Sequence, residues 1–181
     1  LDLLFKTQEK LDNHIVEKKG LQSRNLLLER IASFQVELGE LANEWRGFKF
    51  WSNNQEPTTT DICSICNDDG FVHAMVYGSH DTKTTVLCPA CKGEKSDRNP
   101  LLEEYIDCLH FLLSIGNTIG HQDIVIDSDY TEDTALKTFI YLNGKATSLA
   151  VDIEVRNQEK HIRENYEIMF NMFIGLGEKY L

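Results

Sequence analysis

Apolar positions recur at helical spacing over most of the chain and switch to a shorter, alternating pattern only in its middle. Leu4, Leu11 and Ile15 lie on one side of an amphipathic helix predicted over residues 2–18, and Gly20 marks its end. Ser23 is the expected N-cap of a second helix running to about Arg46, with Phe34, Leu38, Leu41 and Trp45 as its apolar stripe. Asn99-Pro100 predicts the start of a third helix: Asn offers a capping oxygen, and Pro fits the first helical position, where no backbone donor is needed. Its stripe is Leu101, Tyr105, Cys108, Leu112 and Ile115, and it fades near Gly116 to Gly120. A fourth helix is expected from about residue 131 to 152. A fifth runs from about 155 to 179, with Ile162, Tyr166, Met169, Phe170 and Phe173 at helical spacing. The pattern predicts an all-α bundle of about five helices.

The middle segment breaks this pattern. Residues 61–93 contain Cys63-x-x-Cys66 and Cys88-x-x-Cys91, with β-like runs at 71–77 and 84–87 around a turn at Gly78-Ser79-His80-Asp81. Two CxxC loops at the base of a hairpin are the pattern of a zinc ribbon, in which Zn²⁺ takes four thiolates tetrahedrally. Disulfides and a redox role are the alternatives; a disulfide framework suits small secreted chains, and nothing here suggests secretion. Four cysteines close the coordination sphere, so the metal is expected to be structural, with His73 and His80 not needed as ligands. Cys108, on an apolar helical face, is expected to be a buried core thiol.

Two acidic motifs carry the candidate chemistry: Glu37-Leu-Gly-Glu40 on the second helix and Glu104-Tyr-Ile-Asp107 on the third. Each places two carboxylates one turn apart on one face, at the border of the apolar stripe. Alone, such a pair is commonly a solvated face. Two of them at the edges of packed faces can converge, and four carboxylates at one point suit a hard divalent cation, Mg²⁺ above all.

Composition narrows the function classes. The 181 residues suffice for one sizeable domain plus a small insertion. A net charge of −11 argues against nucleic acid or an anionic membrane as the main partner. No apolar run approaches the roughly 18 residues of a membrane helix. The start carries no signal-peptide pattern, and a reducing, cytoplasmic setting is expected.

Removing residues 57–98 leaves the acidic pairs at a spacing ordinary for two helices joined by a short loop. The expected organisation is therefore a helical domain of residues 1–56 and 99–181 with an inserted zinc-ribbon-like module at 57–98. With that module set aside, the text Glu37-Leu-Gly-Glu-Leu-Ala-Asn-Glu-Trp-Arg-Gly-Phe-Lys-Phe-Trp51 and Asn99-Pro-Leu-Leu-Glu-Glu-Tyr-Ile-Asp-Cys-Leu-His-Phe-Leu-Leu-Ser-Ile-Gly116, with Gln8-x-x-Leu11-Asp12, resembles the all-α nucleoside triphosphate pyrophosphatases. These include the dimeric dUTPases and the MazG-like enzymes, and the closer resemblance is to the dimeric dUTPases of phages and bacteria.

The resemblance implies hydrolysis of dUTP to dUMP and pyrophosphate, a homodimer, and Mg²⁺, expected as two ions. Glu37, Glu40, Glu104 and Asp107 match the metal-ligand positions. Gln8 matches a residue that reads the uracil edge, and His110 and Phe111 match base- and sugar-contacting positions. Phe48 and Trp51 fall where the family places aromatics beside the nucleotide, and Lys49 is placed to meet phosphate. Two ions about 4 Å apart can hold an attacking water and stabilise the leaving pyrophosphate, with either Glu37 or Glu40 orienting or deprotonating that water. Such enzymes carry a polar, basic C-terminal segment that closes over the phosphates. The sequence stops at Leu181 without one, so either that tail is lost from this chain or Lys49 and Arg46 meet the phosphates instead. The alternatives are an all-α pyrophosphatase for another nucleotide such as dCTP, and an interaction protein whose zinc module docks a protein partner.

Overall fold

A computed structural model of the chain describes residues 1–75, 83–94, 96–156 and 158–181. Five helices and one two-stranded hairpin form the fold, as the periodicity predicts: α1 (Asp2–Lys19), α2 (Leu27–Trp45), β1 (Phe71–Met75), β2 (Lys83–Leu87), α3 (Pro100–Ile119), α4 (Ala135–Val151) and α5 (Glu159–Tyr180).

The third helix begins as its sequence predicts: Asn99 Oδ1 accepts the Leu102 N–H at 3.1 Å, and Gly120 ends the helix in the left-handed conformation at φ 70°. The second does not. Ser23 lies outside α2: the N-cap is Leu26, without a side-chain cap, and Asn25 Oδ1 accepts the Leu27 N–H at 3.1 Å in the turn that leads into the helix. Thr134 caps α4 through the Lys137 N–H. Between α4 and α5 lies a π-helical segment, Asp152–Arg156, and α5 starts at Glu159 rather than near residue 155. Asp152 is fully buried there and accepts from Arg156 Nη1 at 2.7 Å and from Asn165, so the wider turn keeps a buried carboxylate satisfied.

The core lies between α2, α3, α4 and α5. α2 packs on α3 and α4, α4 packs on α5, and α1 lies against α3. Phe34, Leu38 and Leu41 of α2 meet Cys108, Leu112 and Ile115 of α3, all fully buried. Each such side chain contributes about 1.5–3 kcal/mol on burial. Phe173 of α5 stacks on Tyr105 at 4.4 Å between ring centroids and meets Phe34 edge-on at 6.1 Å. Gly116 is the closest approach: a Cβ there would fall 2.1 Å from Tyr166 Oη and 2.8 Å from Phe5. The predicted stripes of α2 and α3 are thus the buried ones, with Trp45 and Tyr105 half-buried at their ends.

The predicted face of α1 is not. Phe5 and Gln8 are its buried residues, whereas Leu4, Leu11 and Ile15 are exposed at 47%, 42% and 46%. α1 meets the bundle along one narrow strip against α3, and that strip is not the leucine face.

β1 and β2 pair antiparallel in the register Phe71↔Leu87, Val72↔Val86 and His73↔Thr85. The turn predicted at Gly78–Asp81 lies outside the described residues. The hairpin hangs from a neck that touches both acidic helices: the Thr58 N–H donates to Glu44 O near the end of α2, and Thr58 O accepts the Leu101 N–H at the start of α3. Among the described residues no helix is long and apolar enough to cross a membrane.

Candidate active site

The two acidic motifs meet where α2 packs on α3. Carboxylate oxygens of Glu37, Glu40 and Glu104 lie within 4.8 Å of one another. Asp107 is not in that trio, but it stands one turn from Glu104 and its charge reaches both Glu37 and Glu104. Burial raises the Glu37 carboxyl above the ordinary range, and Glu40 and Asp107 add to the rise. Burial also raises Glu104, followed by the fields of Glu40, Glu37, Asp107 and Glu44. These groups are held against their own repulsion, which a divalent cation would relieve. Carboxylate oxygens at this separation fit a hard cation. Glu44 belongs to the same negative field; its i+4 spacing from Glu40 is the signal for it in the sequence.

Other predicted residues fall into two groups. Near the end of α2, Arg46 takes a left-handed conformation at φ 64° and donates to Asn54 O through Nε and Nη2, which folds residues 46–54 into a compact loop. The loop carries Phe48 and Trp51 edge to face at 5.7 Å, with Lys49 Nζ 5.9 Å from the centre of the Phe48 ring. Trp51 is 65% exposed, with Phe50 also edge to face against it at 5.0 Å. Arg46 holds the loop through two of its guanidinium nitrogens.

The second group lies between α1 and α3. Gln8 is buried, and its Oε1 lies 2.6 Å from His110 Nδ1. Gln8 Nε2 donates to Asp12 Oδ1 at 2.8 Å, and Ser114 Oγ donates to Asp12 Oδ2 at 2.6 Å. Arg30 of α2 stands 3.5 Å from the same carboxylate and donates to Thr118 and to the Ser114 carbonyl. His110 itself is exposed. Phe111 lines a cavity of about 330 Å³ with Asp12, Ile15, Leu21, Arg30 and Ser114. Arg30 and Ser114 escape the sequence reading; the matching i,i+4 pairs Gln8/Asp12 and His110/Ser114 are the pattern that would have exposed Ser114.

In the hairpin module the four cysteines converge. Ligand atoms of Cys63, Cys66, Cys88 and Cys91 lie within 4.8 Å of one another, with Cys63 and Cys88 sulfurs 3.7 Å apart and Cys66 and Cys91 sulfurs 3.5 Å apart. A disulfide needs about 2.05 Å. Tetrahedral thiolates about 2.3 Å from one ion stand about 3.8 Å apart, so the spacing fits a four-sulfur metal site. Amides of Cys66 and Ile65 lower the Cys63 thiol to about 7, while burial pushes Cys66 up to about 12. Gly70 and Gly93, both at positive φ, make the turns that follow each cysteine pair. Cys108 stands apart from this cluster as a buried core thiol, and burial pushes its pKa up.

Comparison with known proteins follows this geometry. A family model described as dUTPase matches residues 1–71 and 91–180, which takes in both acidic motifs, the aromatic loop and the Gln8–His110 contact. Searches of curated proteins and of solved structures found no match. An all-α bundle with converging acidic helices, matched by that family over nearly its whole length, belongs to the dUTPase family.

Proposed function

We propose that the chain hydrolyses dUTP to dUMP and pyrophosphate, with Mg²⁺ held by Glu37, Glu40, Glu104 and Asp107. The observation that carries this reading is the convergence of carboxylates from α2 and α3, two of them raised by burial and by one another. Bound Mg²⁺ would neutralise phosphate charge and activate water. The chain's own residues do the rest. The carboxylates fix where the triphosphate enters an otherwise acidic protein. Glu37, the more buried of the first pair, is the better placed to orient the attacking water, with Glu40 more open to solvent. Trp51 offers a flat face to the base, and Lys49 a cation to the phosphates.

In this reading residues 57–98 are a separate module with a structural Zn²⁺ on its four cysteines. Its support is that, among the described residues, the hydrophobic core contains none from that segment. A homodimer is the expected assembly, supported by the exposed apolar side chains Leu3, Leu4, Leu11 and Ile15 along α1. Sedimentation at two concentrations tests it.

The deciding experiment is pyrophosphate release from dUTP with Mg²⁺, for wild type beside Glu40→Gln and Asp107→Asn. Turnover in the wild type, reduced about 100-fold or more in both variants, is the expected result. A panel of deoxynucleotides run in parallel separates a dedicated dUTPase from a dCTP enzyme or a broad pyrophosphatase. Equal rates on every base would overturn the dUTP assignment.

A further inference from the structure

The Gln8 amide is turned inward at both ends. It is 5% exposed, its Nε2 donates to Asp12, and its Oε1 faces His110 Nδ1. A carboxylate only accepts hydrogen bonds, so Asp12 fixes which end of the amide it receives. With Nε2 committed to Asp12, the group facing His110 is the amide oxygen, and His110 Nδ1 has to donate to it. Neutral His110 then carries its proton on Nδ1 and leaves Nε2 as an acceptor. The Asp12 carboxylate is itself fixed on its other oxygen, by Ser114 Oγ at 2.6 Å and by the Arg30 guanidinium at 3.5 Å. Groups from three helices thus converge on one carboxylate, which holds the Gln8 amide in this orientation.

Deepening the dUTP reading above, on which it rests, we infer that Asp12 is a positioning residue for base selection. Through Gln8 it sets the His110 tautomer, so that His110 Nε2 is presented as an acceptor to a base with a ring N–H. Uracil carries a proton on its ring N3 and satisfies that acceptor. Cytosine has a lone pair there and does not. Selection then depends on a residue that never touches the nucleotide, and Gln8, matched to a base-reading position in the sequence, acts as a relay.

The test combines a tautomer measurement with a selectivity ratio. Nitrogen-15 shifts of the His110 ring are read in the nucleotide-free protein across an alkaline pH series until they no longer change, and are assigned by comparison with His110→Asn. The ratio of kcat/KM for dUTP over dCTP is measured on the same proteins. Wild type is expected to carry the proton on Nδ1. Asp12→Asn has the same shape but can also donate to Gln8 Oε1 and let the amide turn. It is expected to move the proton toward Nε2 and to lower the ratio about tenfold, mainly through the KM for dUTP. Gln8→Met cuts the relay in the middle and is expected to give the same selectivity loss, so the test does not depend on Asp12→Asn folding. A wild-type proton on Nε2, a tautomer unmoved in the variants, or a moved tautomer with an unchanged ratio overturns the inference. A wild type that turns over no dUTP overturns the function proposed above instead, and the tautomer comparison still decides whether Asp12 governs His110.

Discussion

Glu37 of α2 and Glu104 of α3 share one patch of space, their carboxylate oxygens within 4.8 Å, and every charged group that shifts either of them is another acid. The fold therefore favours their protonated forms. A raised folded-state pKa means that stability is fully present below the ordinary carboxylate value and is lost as pH rises through the folded value. Without a cation, each of them when ionised stands in the field of other acids.

Glu37→Gln should accordingly stabilise the Mg²⁺-free protein at pH 7, raising Tm by about 2 °C, while it removes most of the Tm gain that Mg²⁺ gives the wild type. It should also flatten the rise in wild-type Tm as pH falls from neutral toward the ordinary carboxylate range. Calorimetry across that range with and without Mg²⁺ checks both. A variant that melts lower than wild type in Mg²⁺-free buffer would show that the carboxylate is an ordinary structural partner.

Cys88→Ser should take the zinc content from one ion per chain to none while the helical circular dichroism signal persists. Among the described residues the core cluster is drawn from α1 to α5, and Cys88 is not a member of it. Loss of the helical signal together with the metal would mean that the bundle needs the module to fold.

Trp51→Ala should raise the KM for nucleotide about tenfold and leave Tm within about 1 °C of wild type. A base stacked on an aromatic face is worth about 1–3 kcal/mol, and a side chain 65% exposed adds little to the fold. Steady-state kinetics beside a thermal melt separates the two effects. An unchanged KM would remove Trp51 from the site.

Gly116→Ala should cost about 1–3 kcal/mol in urea unfolding, because the added methyl would meet Tyr166 Oη and the Phe5 ring in a packed interior. The Tyr166 hydroxyl donates to Leu112 O at 2.9 Å, so it cannot withdraw without leaving a buried donor unpaired. A neutral substitution would mean that α1 shifts away freely.

Much of this was readable from the chain. The stripes of α2 and α3, the Asn99 cap, the hairpin between two CxxC loops and the family resemblance all follow from local patterns, because period, caps and cysteine spacing act over a few residues. What escaped the reading depends on tertiary partners. Leu4, Leu11 and Ile15 have helical spacing, but which face of α1 is buried is decided by where Phe5 and Gln8 meet α3. Ser23 is a competent cap by type, but the helix starts four residues later, after Leu26, with Asn25 bonded in the turn before it. Arg30 joins the Asp12 network from a third helix, a juxtaposition that no spacing within α2 announces. The carboxylate trio shows the division most clearly. Spacing put Glu37 beside Glu40 and Glu104 beside Asp107, but the packing of α2 on α3 decides that Glu104 leans toward the first pair more closely than Asp107 does.

Thr58 receives one acidic helix and delivers the next: its N–H meets Glu44 at the end of α2 and its carbonyl meets Leu101 at the start of α3. One peptide thus works as a clasp between the two acidic helices, and a proline at position 58, which has no N–H to give, would open the clasp on its α2 side while the carbonyl still holds α3.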